Sequence, residues 1–134
     1  MNPLRIIIAS SLLSDRISIE KSLARNGCYR VVPLSSLDDV IKLSQVPGCP
    51  VDLLIIDENI NSVRSDNYVS DTVVLSRPSV HFVVFYSSAR GASSIDHLFH
   101  SHYKYYVAEN RLSDYWLSTI TTMIQAVLTQ FNTR

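Results

Sequence analysis

The sequence predicts an α/β domain: a five-stranded parallel sheet of order 2-1-3-4-5 with five helices over its two faces, three layers in all. Two observations carry this. Short apolar runs without clean alternation, each closed by polar residues, recur at Leu4 to Ala9, Val51 to Asp57 and Val80 to Tyr86, as strands buried on both faces of a parallel sheet do. Between them the apolar spacing becomes helical, and successive βα units with right-handed crossovers put helices on both faces of one sheet.

The first strand, Leu4 to Ala9, is followed by Ser10-Ser11. From Leu12 the spacing predicts a helix with Leu13, Ile17 and Ala24 on one line and Leu23 beside them, stopped by Asn26-Gly27, a usual carboxyl cap. Tyr29 to Val32 makes a short strand ended by Pro33. Ser36 with Asp39 three residues on then opens a helix carrying Leu37, Val40, Ile41 and Leu43, in the manner of a capping box. Gly48-Cys49-Pro50 breaks the chain before the central strand, where Leu53 to Ile56 are aliphatic between Asp52 and Asp57. A weaker helix is expected over 65–75, with Tyr68, Val69, Thr72 and Val73 towards the sheet. Val80 to Tyr86 is the fourth strand, closed by Ser87-Ser88. A short helix capped by Ser93 or Ser94 runs to Phe99, and Tyr103 to Val107 is the fifth strand. Leu112 to Phe131 is the longest helix, striped by Trp116, Leu117, Ile120, Ile124, Val127, Leu128 and Phe131.

At 134 residues the chain has the length of one ordinary domain, and a single domain over 1–134 is expected. Twelve basic and twelve acidic side chains cancel, which leaves no electrostatic footprint for nucleic acid or for an anionic membrane. No apolar run reaches the roughly 20 residues of a membrane span, and Arg5 to Ala9 is too short for a signal-peptide core. Cys28 and Cys49 have neither metal-ligand spacing nor a CxxC arrangement, which suits free thiols in a cytoplasmic protein, although a single bridge between them stays open on sequence. Three glycines in the whole chain argue against a glycine-rich nucleotide loop, and no GxSxG is present.

A sheet of order 2-1-3-4-5 is flavodoxin-like, with its switch point between the first and third strands. That topology brings Ser10, Ser11 and Asp57 to one edge, the carboxyl edge, where open α/β sheets place ligands and chemistry. An aspartate closing a strand also serves simply to start a turn.

Over essentially its whole length the sequence resembles the receiver domain of bacterial response regulators, the CheY-like family. Arg5-Ile6-Ile7-Ile8-Ala9 is similar to the family's first strand, and Asp52-Leu53-Leu54-Ile55-Ile56-Asp57 to its third, which ends in the phosphate-accepting aspartate. The resemblance implies that Asp57 stands at the phosphoacceptor position. It further implies two acids after the first strand to help hold Mg²⁺, a Thr or Ser ending the fourth strand and a Lys ending the fifth. Here the acidic-pair positions hold Ser10 and Ser11, the hydroxyl position falls on Tyr86 or Ser87, and the lysine position holds Ala108 with Glu109 beside it. Neutral hydroxyls do not replace two carboxylates around a divalent ion, and Glu58 and Glu109 would repel a phosphoryl group. The pattern is that of a degenerate receiver, or pseudo-receiver. A fainter likeness, through Leu98-Phe99-His100-Ser101 and Gln130-Phe131, is to the amino-terminal pseudo-receiver of the cyanobacterial clock protein KaiA.

His97, His100 and His102 lack a cysteine or carboxylate to complete a zinc set and read as solvated or capping histidines. The aromatic group Tyr103, Tyr105, Tyr106, Tyr115 and Trp116 is in part core. Strand alternation puts Tyr103 and Tyr105 opposite to Tyr106, so at least one tyrosine is expected on an outer face, as interfaces favour. The sequence therefore points to a non-enzymatic, phosphorylation-independent signalling module without metal or cofactor, acting through a protein partner or as a homodimer. The alternative is a phosphoacceptor receiver that uses Asp57 with weakly bound Mg²⁺, as the regulatory part of a transcription regulator. A flavin- or nucleotide-dependent enzyme on the same fold finds no motif.

Overall fold

The computed structural model describes residues 2–48, 50–57, 60, 80–86, 105–108 and 113–132. Strands β1 (Asn2–Ala9), β2 (Cys28–Leu34), β3 (Val51–Asp57), β4 (Val80–Tyr86) and β5 (Tyr105–Ala108) pair in parallel in the order β2-β1-β3-β4-β5. The order of the first four is the one that the βα alternation predicts. Three helices lie among the described residues: α1 (Leu13–Arg25), α2 (Leu37–Ser44) and α3 (Asp114–Asn132). The helices expected over 65–75 and before Phe99 lie outside the described residues, as do Cys49, Glu58, Ser87, Tyr103, Glu109 and the three histidines from 97 to 102.

Two apolar layers sandwich the sheet, and strand alternation sorts side chains between them. Ile7, Ala9, Leu54, Ile56 and Val83 pack on the layer that holds Leu37 and Val40 of α2. Leu4, Ile6, Ile8, Leu53, Ile55 and Val84 pack on the other, with Ile19 and Leu23 of α1 and Leu117, Ile120 and Ile124 of α3. β3 feeds both layers, so Leu53, Leu54 and Ile55 are fully buried, each stabilising the fold by about 1.5–3 kcal/mol.

The ends of the elements follow local chemistry. α2 begins where the Ser36 hydroxyl accepts from the Asp39 amide at 3.2 Å, the expected cap. α1 ends at Asn26, and Gly27 turns the chain away with φ of 80°, a left-handed value that disfavours residues bearing a Cβ. Ser113 caps α3 by accepting from the Trp116 amide at 3.0 Å, and Asp114 in its first turn meets Arg25 in the last turn of α1 at 2.9 Å.

The structure corrects several boundaries and one face. β2 continues through Pro33 to Leu34 because it is an edge strand, where a missing N–H on the outer side leaves no ladder bond unmade. β5 runs to Ala108, one residue beyond its expected end, and α3 spans Asp114 to Asn132. On α1 the line of Leu13 and Ile17 does not face the sheet: they are 60% and 43% exposed, while Ile19, Ser22 and Leu23 are buried. Cys28 is a free, buried thiol, and burial raises its pKa. In urea denaturation, Leu54→Ala is expected to lower stability by about 2–5 kcal/mol, against about 1 kcal/mol for removal of the α2 cap by Ser36→Ala.

Candidate functional site

The sheet register assembles the carboxyl edge residue by residue. Ala9 pairs with Ile56, so Ser10, the next residue, stands level with Asp57. Asp57 pairs with Tyr86, and Tyr86 with Ala108. Ser10, Asp57, Tyr86 and Ala108 thus form one row across β1, β3, β4 and β5. Ser10 and Asp57 are wholly buried and Tyr86 is 2% exposed. Ser11, one residue beyond the row, is half-buried in the bend that leads to α1.

Each member of the row is held by its neighbours. The Ser10 amide donates to the Leu34 carbonyl of β2 at 3.1 Å, which extends the β1–β2 ladder by one residue. Its hydroxyl accepts from the Leu12 amide at 3.2 Å, a serine turn that starts the approach to α1. Its carbonyl accepts from the Arg16 guanidinium at 2.6 Å, a charge-assisted contact. Asp57 is fixed by its strand and by a turn in which the Ile60 amide donates to the Asp57 carbonyl at 3.1 Å.

Tyr86 closes the row from the β4 side. Its hydroxyl donates to the Asp15 carboxylate on α1 at 3.1 Å, which ties the first turn of the helix to the fourth strand. Burial pushes the phenol pKa well above its ordinary value; a hydrogen bond with Ser10 partly offsets this, and the negative charges of Asp15 and Asp57 reinforce it. Among the described residues the edge therefore carries the Asp57 carboxylate and, bonded to a neutral phenol, that of Asp15. Among the described residues no three His, Cys, Asp or Glu side chains converge as metal ligands do.

Solved structures share this architecture. A response regulator receiver protein from Sinorhizobium medicae WSM419 superposes with a TM-score of 0.71 at 15% identity, over 92% of this chain and 94% of that one. The fold is that of a receiver domain. A Burkholderia pseudomallei K96243 protein described as pilus assembly-related is similar at a TM-score of 0.65 and 20% identity, over 92% of this chain and 90% of that one. No protein-family model and no curated protein matches the sequence.

Of the two candidates for the hydroxyl position, Tyr86 is the register partner of Asp57, and Ser87 lies outside the described residues. Sequence reasoning missed Asp15 and Arg16. The signal was present, since the helix following β1 begins at the same edge and its first turn carries that pair. The aromatic group divides. Tyr115 is 75% exposed, whereas Trp116 packs against the core beside α1; adjacent helical residues point about 100° apart, so the pair cannot share one face. Tyr105 and Tyr106 lie in β5, paired with Val83 and Val84.

Tyr86 should be visible in an alkaline titration. The unfolded phenol loses its proton near pH 10 while the folded one keeps it, so the folded state binds more protons there and stability falls as pH rises. Tyr86→Phe is expected to abolish that component of the alkaline loss of stability and to cost about 1 kcal/mol at neutral pH through the lost bond to Asp15. Urea denaturation of both proteins at neutral pH and above pH 10 checks both.

Proposed function

We propose that this chain is a phosphorylation-independent pseudo-receiver that acts in signal transduction through protein–protein contact, without catalysis. The observation that carries the reading is the buried row beside Asp57, in which Ser10 stands on one side and Tyr86 on the other. Mg²⁺ takes several oxygen ligands in near-octahedral order and favours carboxylates. The described donors at this edge do not fit it. Asp57 is flanked by a neutral serine whose hydroxyl is engaged with the Leu12 amide, and the Asp15 carboxylate is engaged by Tyr86. Phosphoryl transfer depends on positioning and on neutralisation of charge, and position 108, where the resemblance expects a lysine, is alanine.

The same geometry gives the domain a reason to be stable without a switch. The Tyr86–Asp15 bond links β4 to α1, and both groups are already matched in the resting state. Signalling then rests on a surface rather than on an edge that changes charge. Tyr115, at 75% exposure on the first turn of α3, is the described aromatic best placed for a protein partner or a second copy, since exposed tyrosine supplies large contact area with little conformational freedom to lose. A chain with twelve basic and twelve acidic residues has no excess charge to offer nucleic acid.

Intact mass after incubation with Mg²⁺ and a small phosphodonor tests the reading. No phosphate adduct is expected, and an adduct that disappears in Asp57→Asn would replace the proposal with the phosphoacceptor alternative. The reconstructed variant carrying Ser10→Asp, Ser11→Asp, Tyr86→Thr and Ala108→Lys is expected to gain Mg²⁺ binding by calorimetry.

The surface assignment has its own check. Tyr115→Arg is expected to leave the urea midpoint unchanged while reducing self-association in sedimentation runs at rising concentration. Equal association of both proteins would remove Tyr115 from the contact.

A further inference from the structure

At the amino edge, far along the strands from Asp57, the sheet carries a second polar row. Arg30 of β2 and Arg5 of β1 are register partners. The Asp52 carboxylate of β3 accepts from the Arg5 amide at 2.8 Å through one oxygen and meets His81 Nδ1 of β4 at 3.3 Å through the other. Both acceptor atoms of Asp52 are thus engaged, and neither guanidinium has an ion-pair partner among the described residues. Adjacent strands lie about 4.8 Å apart, so two cations side by side on one face repel unless something negative lies between them.

Beside these arginines is a cavity of about 380 Å³ with an apolar wall of Ile7, Val32, Leu43 and Val51. Its origin is the length of α2. Eight helical residues span about 12 Å, whereas the seven-residue strands beneath span about 23 Å, so the helix stops before it has covered the amino half of β1 and β2. Gly48 and Pro50 also line the gap.

We propose that this cavity binds a small organic carboxylate with an apolar body, its carboxylate bridging Arg5 and Arg30 and its body against Ile7, Val32, Leu43 and Val51. A volume of this size lined by apolar side chains with a few placed polar groups is typical of small-molecule sites. Arginine forks match a carboxylate in two-point geometry. Two guanidiniums set against the neighbouring Asp52 leave a single net positive charge, which one carboxylate balances, and the apolar wall suits an anion with an apolar body rather than phosphate. The site shares no residue with the carboxyl edge, and the proposal does not depend on the pseudo-receiver reading.

Isothermal titration of the whole chain with octanoate tests this, with octan-1-ol and inorganic phosphate as controls. Octanoate should bind saturably at one site, and each control much more weakly. The exposed double variant Arg5→Gln with Arg30→Gln should weaken octanoate about tenfold or more, as expected for loss of charged hydrogen bonds. Leu43→Trp, which fills the cavity, should abolish binding, and the arginine variant keeps the test decisive if that protein misfolds. Octan-1-ol or phosphate binding as tightly as octanoate, an unchanged affinity in the double variant, or no saturable binding at roughly millimolar octanoate would each overturn the proposal.

Discussion

The double-sided burial of β3 is the constraint on which the rest of the molecule depends. Leu53 and Ile55 point into one layer and Leu54 and Ile56 into the other, and the strand is hydrogen-bonded on both edges, to β1 and β4. Neither face can slip, because a one-residue shift would exchange the two apolar sets between layers and carry Asp57 and Asp52 with them. Both acids are held in place by this register, one at each end of the same strand. The wholly buried Asp57 is the result of a strand that has no freedom left.

Burial also decides what the carboxyl edge can do. A carboxylate in an apolar site needs compensation from charge or hydrogen bonds, and a receiver's metal and lysine would supply it. Among the described residues, the polar groups next to Asp57 in the row are tied to α1 and β2. Ser10 is fixed by Leu12, Leu34 and Arg16, and Tyr86 by Asp15. Such a network favours one arrangement, since opening any member exposes a buried polar atom without a partner.

How much of this was legible in the sequence depended on whether the signal was local. The aliphatic runs of β1, β3 and β4 and the Ser36 cap were readable, because burial on both faces and capping leave marks within a few residues. The buried face of α1 was not: Leu13 and Ile17 are as apolar as Ile19 and Leu23, and only the tertiary packing says which pair meets the sheet. The Tyr86–Asp15 bond joins residues 71 positions apart, and the pairing of Tyr86 with Asp57 rests on a register that one strand alone does not contain. For Tyr115 and Trp116 the composition indicated an aromatic group, while helix geometry divided it into one surface and one core residue.

The two ends of the sheet differ in how completely the helices cover them, and their chemistry follows from that. At the carboxyl end, Leu37 and Val40 from the start of α2 bury Ala9 and Ile56, so a guanidinium in that row would be desolvated without relief. At the amino end α2 has already stopped, and Arg5 and Arg30 are exposed beside the cavity that Ile7 and Val32 also line. Arg5 and Ala9 occupy the same face of the same strand, four residues apart. The difference between a solvated cation and a buried methyl at those two positions is set by one short helix, which is why the charge on this face collects at the end opposite Asp57.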